Sequence, residues 1–541
     1  MKLLDFFYQE SNAPKAQILF LAIVSGIANG VLLMVINNAA ESVNKGEEIQ
    51  VQYFILFIVD LLLYFYTKKY SLTQATIAAE EAIERVRIRV ADKLRHTELG
   101  FIESSGHSEI FTRITQDTSL ISESATVLIN AAQQLIVVLI CLLYILWLST
   151  PGFIVTIVIL GFSVVMYLYN AKNIGLKLHD AVHKEAEFFD GIKQILLGFK
   201  EIKINQKKNN ALFARIETVA QQSKALKLET GMHFVIEMMF AQTSFYILCA
   251  SIVFALPVIS PTYVSDVVQI TIAILFLFGP LSMVVSAAPM FARANVSVEN
   301  IYQLEQEIDD YADQYARETA QEPQFSSIEF KQVMFTYQKQ AYGNAFSVGP
   351  IDLKLSQGEI VFIVGGNGSG KSTLLKLLTG LYYPTSGAIM FNGKLLEKNS
   401  YLHYRELFST IFTDFYLFDR LYGVQDTAEE QVQALIKRMG LESKTSFTQG
   451  RFSNVDLSTG QRKRLAYISA DLEDKQIYIF DEWAADQDPE FREYFYQVLL
   501  KELKQKGKTV IAVSHDERYF SSADRVIKME YGRIIEINKA D

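Results

Sequence analysis

Cysteine is almost missing from this chain: Cys141 and Cys249 are the two thiols in 541 residues. Both fall inside apolar stretches, where cysteine serves as a small apolar side chain, so neither a disulfide framework nor a cysteine-held metal cluster is implied. An excess of basic residues is missing too. The formal charge is −9 and no basic stretch interleaved with aromatics relieves it, which argues against a nucleic-acid partner. There is no short-period repeat and no low-complexity tract, so repeat architectures are set aside. Signal-peptide features are lacking at the start. Met1–Lys15 is too acidic and amphipathic, and the apolar run behind it is longer than a signal core, so an uncleaved interfacial elbow helix is expected.

Half of the residues are hydrophobic and the mean hydropathy is +0.15, too apolar for a wholly soluble chain of this size. Six apolar runs are long enough to cross a ~30 Å hydrocarbon layer: Ala16–Ile36, Val51–Tyr70, Ala131–Leu148, Phe153–Tyr169, Phe234–Leu256 and Val267–Val285. They are apolar on every face, unlike buried helices of a soluble protein. Lysine and arginine crowd the segments after the second and fourth runs, from Lys68 to Arg113 and from Lys172 to Lys227. The segments after the first, third and fifth hold only Lys45. The positive-inside rule therefore places both termini in the cytoplasm. Within the runs, Asp60 and Glu237 are the acidic residues, with Gln133, Gln134, Gln242 and Gln269 as polar companions. A carboxylate at mid-bilayer costs about 3 kcal/mol, so each acidic residue must face protein or water, as a cavity contact or as a bond between helices.

The other half carries chemistry. Gly365-Gly366-Asn367-Gly368-Ser369-Gly370-Lys371-Ser372 fits G-x-x-x-x-G-K-[ST], between the apolar run Ile360–Val364 and a helix-like run from Thr373. Such a loop turns backbone N–H groups onto phosphates, while the lysine neutralises them and the serine hydroxyl is a ligand for Mg²⁺. Downstream, Gln476–Phe480 reads as a buried strand ending in Asp481-Glu482: one carboxylate for Mg²⁺ and a second to orient or deprotonate water. Between them, Leu457-Ser458-Thr459-Gly460-Gln461 precedes a helix-compatible stretch whose N-terminus presents N–H donors to an anion. Any one of these is consistent with an ordinary loop or core strand. Three in this order point to binding and hydrolysis of a nucleoside triphosphate.

These residues together resemble the ABC transporter family, and the resemblance implies further roles. Tyr337 matches the aromatic that stacks on adenine, and Thr373 follows the phosphate loop. Ser458, Gly460 and Gln461 match the signature contacts to the γ-phosphate, Asp488 the D-loop carboxylate, and His515 in Val513-Ser514-His515-Asp516 the switch histidine. A lone histidine after an apolar strand is usually structural; its position downstream of Asp481-Glu482 favours the switch role. Closer resemblance is to the bacterial cyclic-peptide and siderophore exporters, which include the syringomycin and pyoverdine exporters and the microcin J25 export system. It is carried by Asn344–Pro350, Phe412-Thr413-Asp414 and above all Asp481-Glu482-Trp483-Ala484-Ala485-Asp486-Gln487-Asp488-Pro489. Two positions depart from the wider family. Thr413 stands in place of the usual Q-loop glutamine, so that Mg²⁺ contact falls to Thr413 or Asp414, and Thr459 replaces a signature glycine.

The expected fold is an α-helical six-span transmembrane domain, residues 1–302, fused through a linker, 303–325, to an α/β phosphate-loop nucleotide-binding domain, 326–541. The family implies short coupling helices near Leu99–Ser105 and Phe199–Asn205. Each motif occurs once, and the family sandwiches ATP between two copies, so a homodimer is expected. The expected activity is ATP-driven export of a peptide-like, microcin-like or siderophore-like compound across a bacterial inner membrane, with membrane lipids as surroundings. The rivals are a lipid or lipopeptide translocase and a membrane-anchored regulatory ATPase without cargo.

Overall fold

The computed structural model describes residues 2–44, 46, 50–259, 266–311, 323–337 and 346–539, without the side chains at 44, 107–109, 167–179, 181–183, 185–186, 230, 234, 237 and 539. Lys45, the Glu237 side chain, Asn344, Ala345 and linker residues 312–322 lie outside that set. The chain divides into two compact units, one of Met1–Val90 with Phe111–Leu304 and one of Ala91–Ile110 with Glu305–Asp541.

The first unit is helical. Lys15–Val43, Val51–Leu94, Ile110–Leu148, Gln206–Ile259 and Val267–Asp310 are long and apolar enough to cross a membrane, and the helix Thr150–Leu197 opens with the shorter apolar stretch Thr150–Met166. All six expected runs lie in these helices. On Val51–Leu94 the side chains of Phe54, Ile55, Val59, Leu62 and Phe65 are exposed, a continuous apolar face that a water-soluble protein does not leave open. Ahead of them the helix Lys2–Glu10 buries Leu3 and Phe6, and the Leu3 N–H donates to Asn295 Oδ1 at 2.9 Å.

Close packing inside this unit depends on a pair of glycines four residues apart. A Cβ on Gly26 would stand 2.8 Å from Ile136 Cβ, and one on Gly30 would stand 2.6 Å from Ile140 Cγ2. Helices Lys15–Asn44 and Thr118–Leu148 therefore meet at backbone distance, the arrangement that small residues at this spacing permit in lipid. Further along the same helix, Asn37 Nδ2 donates to Tyr144 Oη and to the Gln269 carbonyl, both at 3.1 Å, and Gln269 Nε2 donates to Glu41. Gln269 is thus a tie between helices. Gln133 is buried with neither side-chain polar atom partnered among the described residues, and Asp60 Oδ2 is likewise orphaned.

In the second unit a six-stranded sheet runs in the order β12-β11-β3-β10-β9-β6, comprising β3 (Ile360–Val364), β6 (Phe408–Ile411), β9 (Ile477–Asp481), β10 (Thr509–Val513), β11 (Arg525–Glu530) and β12 (Arg533–Lys539). All pairings are parallel except that of β12; the remaining strands are β1 (Ser327–Thr336), β2 (Ser347–Ser356), β4 (Ser386–Phe391), β5 (Lys394–Leu395), β7 (Phe447–Thr448) and β8 (Arg451–Phe452). The strands β9 and β10 are buried at every residue, as continuous Val/Ile-rich runs must be when both faces of a parallel sheet are covered. A smaller antiparallel sheet holds Ser327–Thr336, Ser347–Ser356, Ser386–Phe391 and Lys394–Leu395. The short helices Leu99–Ser105 and Phe199–Lys203 form where coupling elements are expected. The first belongs to this unit. Leu99 packs on the sheet core, Phe101 is buried with its ring 5.7 Å from that of Tyr311, and Glu103 accepts from Lys376 Nζ at 2.7 Å and from the Tyr382 hydroxyl.

Candidate functional site

Register brings the chemistry together. Val513 of β10 pairs with Asp481 on one side and with Ile363 on the other, so β3, β10 and β9 end side by side. The phosphate loop leaves β3, Glu482 follows β9, and His515 follows β10. A parallel sheet concentrates function at this carboxyl edge.

Lys371 is buried at the start of the helix Lys371–Leu378, and its Nζ donates to the carbonyls of Gly365 and Gly366 at 2.9 and 3.0 Å. The ammonium therefore lies within the curl of the loop. At Gly365 φ is +152° and a Cβ would stand 2.3 Å from the Met529 carbonyl oxygen, so only glycine permits this path. Ser369 Oγ is buried without a partner among the described residues, as a hydroxyl facing a ligand would be. Ser372 Oγ donates to Asp481 Oδ2 at 3.2 Å, and Thr413 Oγ1 to the Asp481 carbonyl at 3.4 Å. Burial pushes the Asp481 carboxyl above its ordinary range, and the donors Thr413 and Ser372 oppose that shift. Asp414 is exposed on the same loop. The Tyr337 hydroxyl lies 2.9 Å from that of Thr373, which ties the aromatic to the helix behind the phosphate loop.

The second cluster is Glu482 with His515, whose Nε2 lies 3.1 Å from Glu482 Oε1. Glu482 adopts a left-handed backbone, φ 52° and ψ 34°. A cleft of about 360 Å³ opens beside the pair, lined also by Arg492, Asp516 and Arg518. A carboxylate held by an imidazole next to a phosphate loop is equipped to hold a water in line with a terminal phosphate.

The third cluster stands at the start of the helix Thr459–Glu473. The Ser458 N–H donates to Gln461 Oε1 at 3.3 Å, so Gln461 caps its own helix here. Gly460 accepts from Gln487 Nε2 at 3.1 Å. Asp488 caps the next helix by accepting from the Phe491 N–H at 2.9 Å; that bond, with Arg464 beside it, holds its carboxyl below the usual range. Among the described residues no hydrogen bond joins this cluster to the phosphate loop. Sequence reasoning missed Lys463, whose ammonium reaches the Glu482 carbonyl, and Arg492, which straps the carbonyls of Ala484, Ala485 and Gln487. Nothing local in the sequence marks either.

The described residues hold no group of three or more His, Cys, Asp or Glu side chains able to bind a metal. The Ser372 hydroxyl and the Asp481 carboxylate do suit a hard cation that takes its remaining ligands from phosphate oxygens and water.

A phosphate-loop unit joined to a unit of membrane-crossing helices defines an ATP-driven multi-pass membrane protein. Family models agree: one for ABC transporter matches residues 348–485 and one for ABC transporter transmembrane region matches residues 16–288. The chain belongs to the ABC transporter family, whose members bind and hydrolyse ATP to drive transport. It is 32% identical to the ATP-binding protein SyrD of Pseudomonas syringae pv. syringae, over 95% of this chain and 93% of that protein. It is 23% identical to an ATP-dependent lipid A-core flippase of Paraburkholderia xenovorans (strain LB400), over 83% of this chain and 77% of that one. The solved structure of a bacterial Atm1-family ABC exporter with ATP bound shares the fold, with a TM-score of 0.76 at 18% identity over 97% of this chain and 94% of that one.

Proposed function

We propose that two copies of this chain form an exporter in a bacterial inner membrane that moves a cyclic-peptide, microcin or siderophore-like compound out of the cytoplasm. In this reading residues 1–302 form the transmembrane domain, 303–325 the linker and 326–541 the cytoplasmic nucleotide domain. The observation that carries it is the single set of site elements, Lys371, Ser372, Asp481, Glu482 and His515, on adjoining strand ends of a chain that also carries the apolar helices. The segment Asp481–Pro489 and the end-to-end similarity to SyrD support a peptide-like cargo.

Tyr337 would stack on adenine, the loop Gly365–Thr373 would wrap the phosphates and Lys371 would neutralise them. Ser372 and Asp481 would hold Mg²⁺, with Thr413 and Asp414 on the neighbouring loop as further contacts; when bound, the ion would offset phosphate charge. Glu482 would orient and deprotonate the attacking water, while His515 holds that carboxylate toward the phosphate. Ser458, Gly460, Gln461 and Asp488 would complete the site on the other copy.

The test is transport into inside-out vesicles holding the purified protein. ATP-dependent accumulation of a labelled cyclic peptide or siderophore is expected, with Glu482→Gln keeping ATP binding and losing turnover by about a hundredfold or more. Parent-level ATPase in that variant refutes the role of Glu482. The similarity to a lipid A-core flippase supports a second reading, lipid or lipopeptide translocation. Movement of a labelled lipid between leaflets, with no peptide accumulation, favours it.

A further inference from the structure

Lys463 lies on the helix that begins at the signature, yet its side chain is only 1% exposed. Its Nζ donates to the Glu482 carbonyl at 2.6 Å and stands 2.6 Å from Asp486 Oδ2. The Trp483 indole N–H in turn donates to the Lys463 carbonyl at 2.9 Å. A buried ammonium is tolerated only when fully paired, and this one is directed at a residue with a left-handed backbone. A non-glycine residue keeps that conformation only where its surroundings over-determine it. The same surface is zipped further along. Arg464 Nε donates to Gln487 Oε1 at 2.8 Å, and a Cβ on Gly460 would stand 2.5 Å from the Asp486 carbonyl oxygen, so the start of the signature helix lies flat on the loop after Glu482.

We propose that Lys463 is a positioning residue for Glu482. By fixing the Glu482 carbonyl and the Asp486 carboxylate it sets the direction in which the Glu482 side chain leaves the end of β9. The proposal rests on the reading of Glu482 as the hydrolytic base.

The test uses the full-length protein with MgATP. Lys463→Met keeps the apolar stem and removes the donor. It is expected to lower kcat by about tenfold or more, since small misplacements of a reacting group cost that much, and to leave KM for ATP within about twofold. In a Glu482→Gln background the same substitution is expected to change the residual single-turnover rate by less than about twofold, because the group it aims is already gone. An unchanged kcat, a rise in KM, or the same fold-loss in both backgrounds overturns the proposal. Should Lys463→Met not fold, Asp486→Ala, on a half-exposed side chain, enters the same cycle: a kcat loss confined to the Glu482 background supports the clamp, and no loss or an equal loss in both overturns it. Parent-level turnover in Glu482→Gln alone defeats the base assignment, a different result from a failed cycle.

Discussion

Asp481 is 3% exposed, and its carboxyl titrates above the ordinary value of 3.8 because burial outweighs the donors around it. A carboxyl raised in the folded state binds its proton more tightly there than in the unfolded chain. That stabilisation is complete below 3.8 and is lost as the pH climbs through the folded value, so at neutral pH the ionised group opposes folding. Asp481→Asn is therefore expected to abolish turnover and to raise the melting temperature of the nucleotide-free protein at pH 7–8, by about 2–4 °C per kcal/mol relieved. The gain should shrink toward pH 4; scanning fluorimetry across pH 4–8 reads it, and a gain that grows on acidification contradicts the account. The residues of the phosphate loop and of Asp481-Glu482 were legible in the sequence because their chemistry is local: glycines, a lysine and carboxylates within a few positions. Lys463 was not, since a lysine on a polar helix reads as solvent-facing until the fold carries the Glu482 carbonyl to it. In the fold the Gln461 side chain also serves the helix start, accepting from the Ser458 N–H, a local bond that the signature pattern does not announce.

Among the elements, the six apolar runs were legible because a membrane demands length and uniform composition. What those runs do to each other was not. Gly26 and Gly30 look like unremarkable members of an apolar stretch, and only the approach of Ile136 and Ile140 gives them a role. Gly30→Ala is expected to destabilise the helical unit by about 1–3 kcal/mol, the usual cost of overpacking. Ile140→Ala in the same chain should recover part of that loss. Thermal melting in detergent of the single and double variants measures it, and additive losses would show that the two side chains do not share the space. The tie from Asn37 to Tyr144 and Gln269 escaped for the same reason, because a hydrogen bond across three helices leaves no spacing in the sequence.

At the scale of the molecule, the proposed homodimer would share its two ATP sites between copies. Mixing Lys371→Ala chains with Ser458→Arg chains should restore ATPase that neither shows alone. In each heterodimer one site joins both defects and the other joins an intact Lys371 to an intact Ser458, so the expected rate is at most about half of the parent. Continued inactivity, with heterodimers demonstrated by pull-down, means that both sites must fire or that the sites are not shared. The nucleotide unit is itself discontinuous in sequence, since residues Ala91–Ile110 belong to it together with Glu305–Asp541. Its first piece therefore emerges from the ribosome roughly ten seconds or more before the sheet core on which Leu99 packs exists. A chain that inserts its early helices the wrong way round strands residues 91–110 across the bilayer from their sheet and cannot finish that domain. Residues 91–110 and Glu305–Asp541 must therefore end on one side of the membrane for the ATP-binding half to be completed.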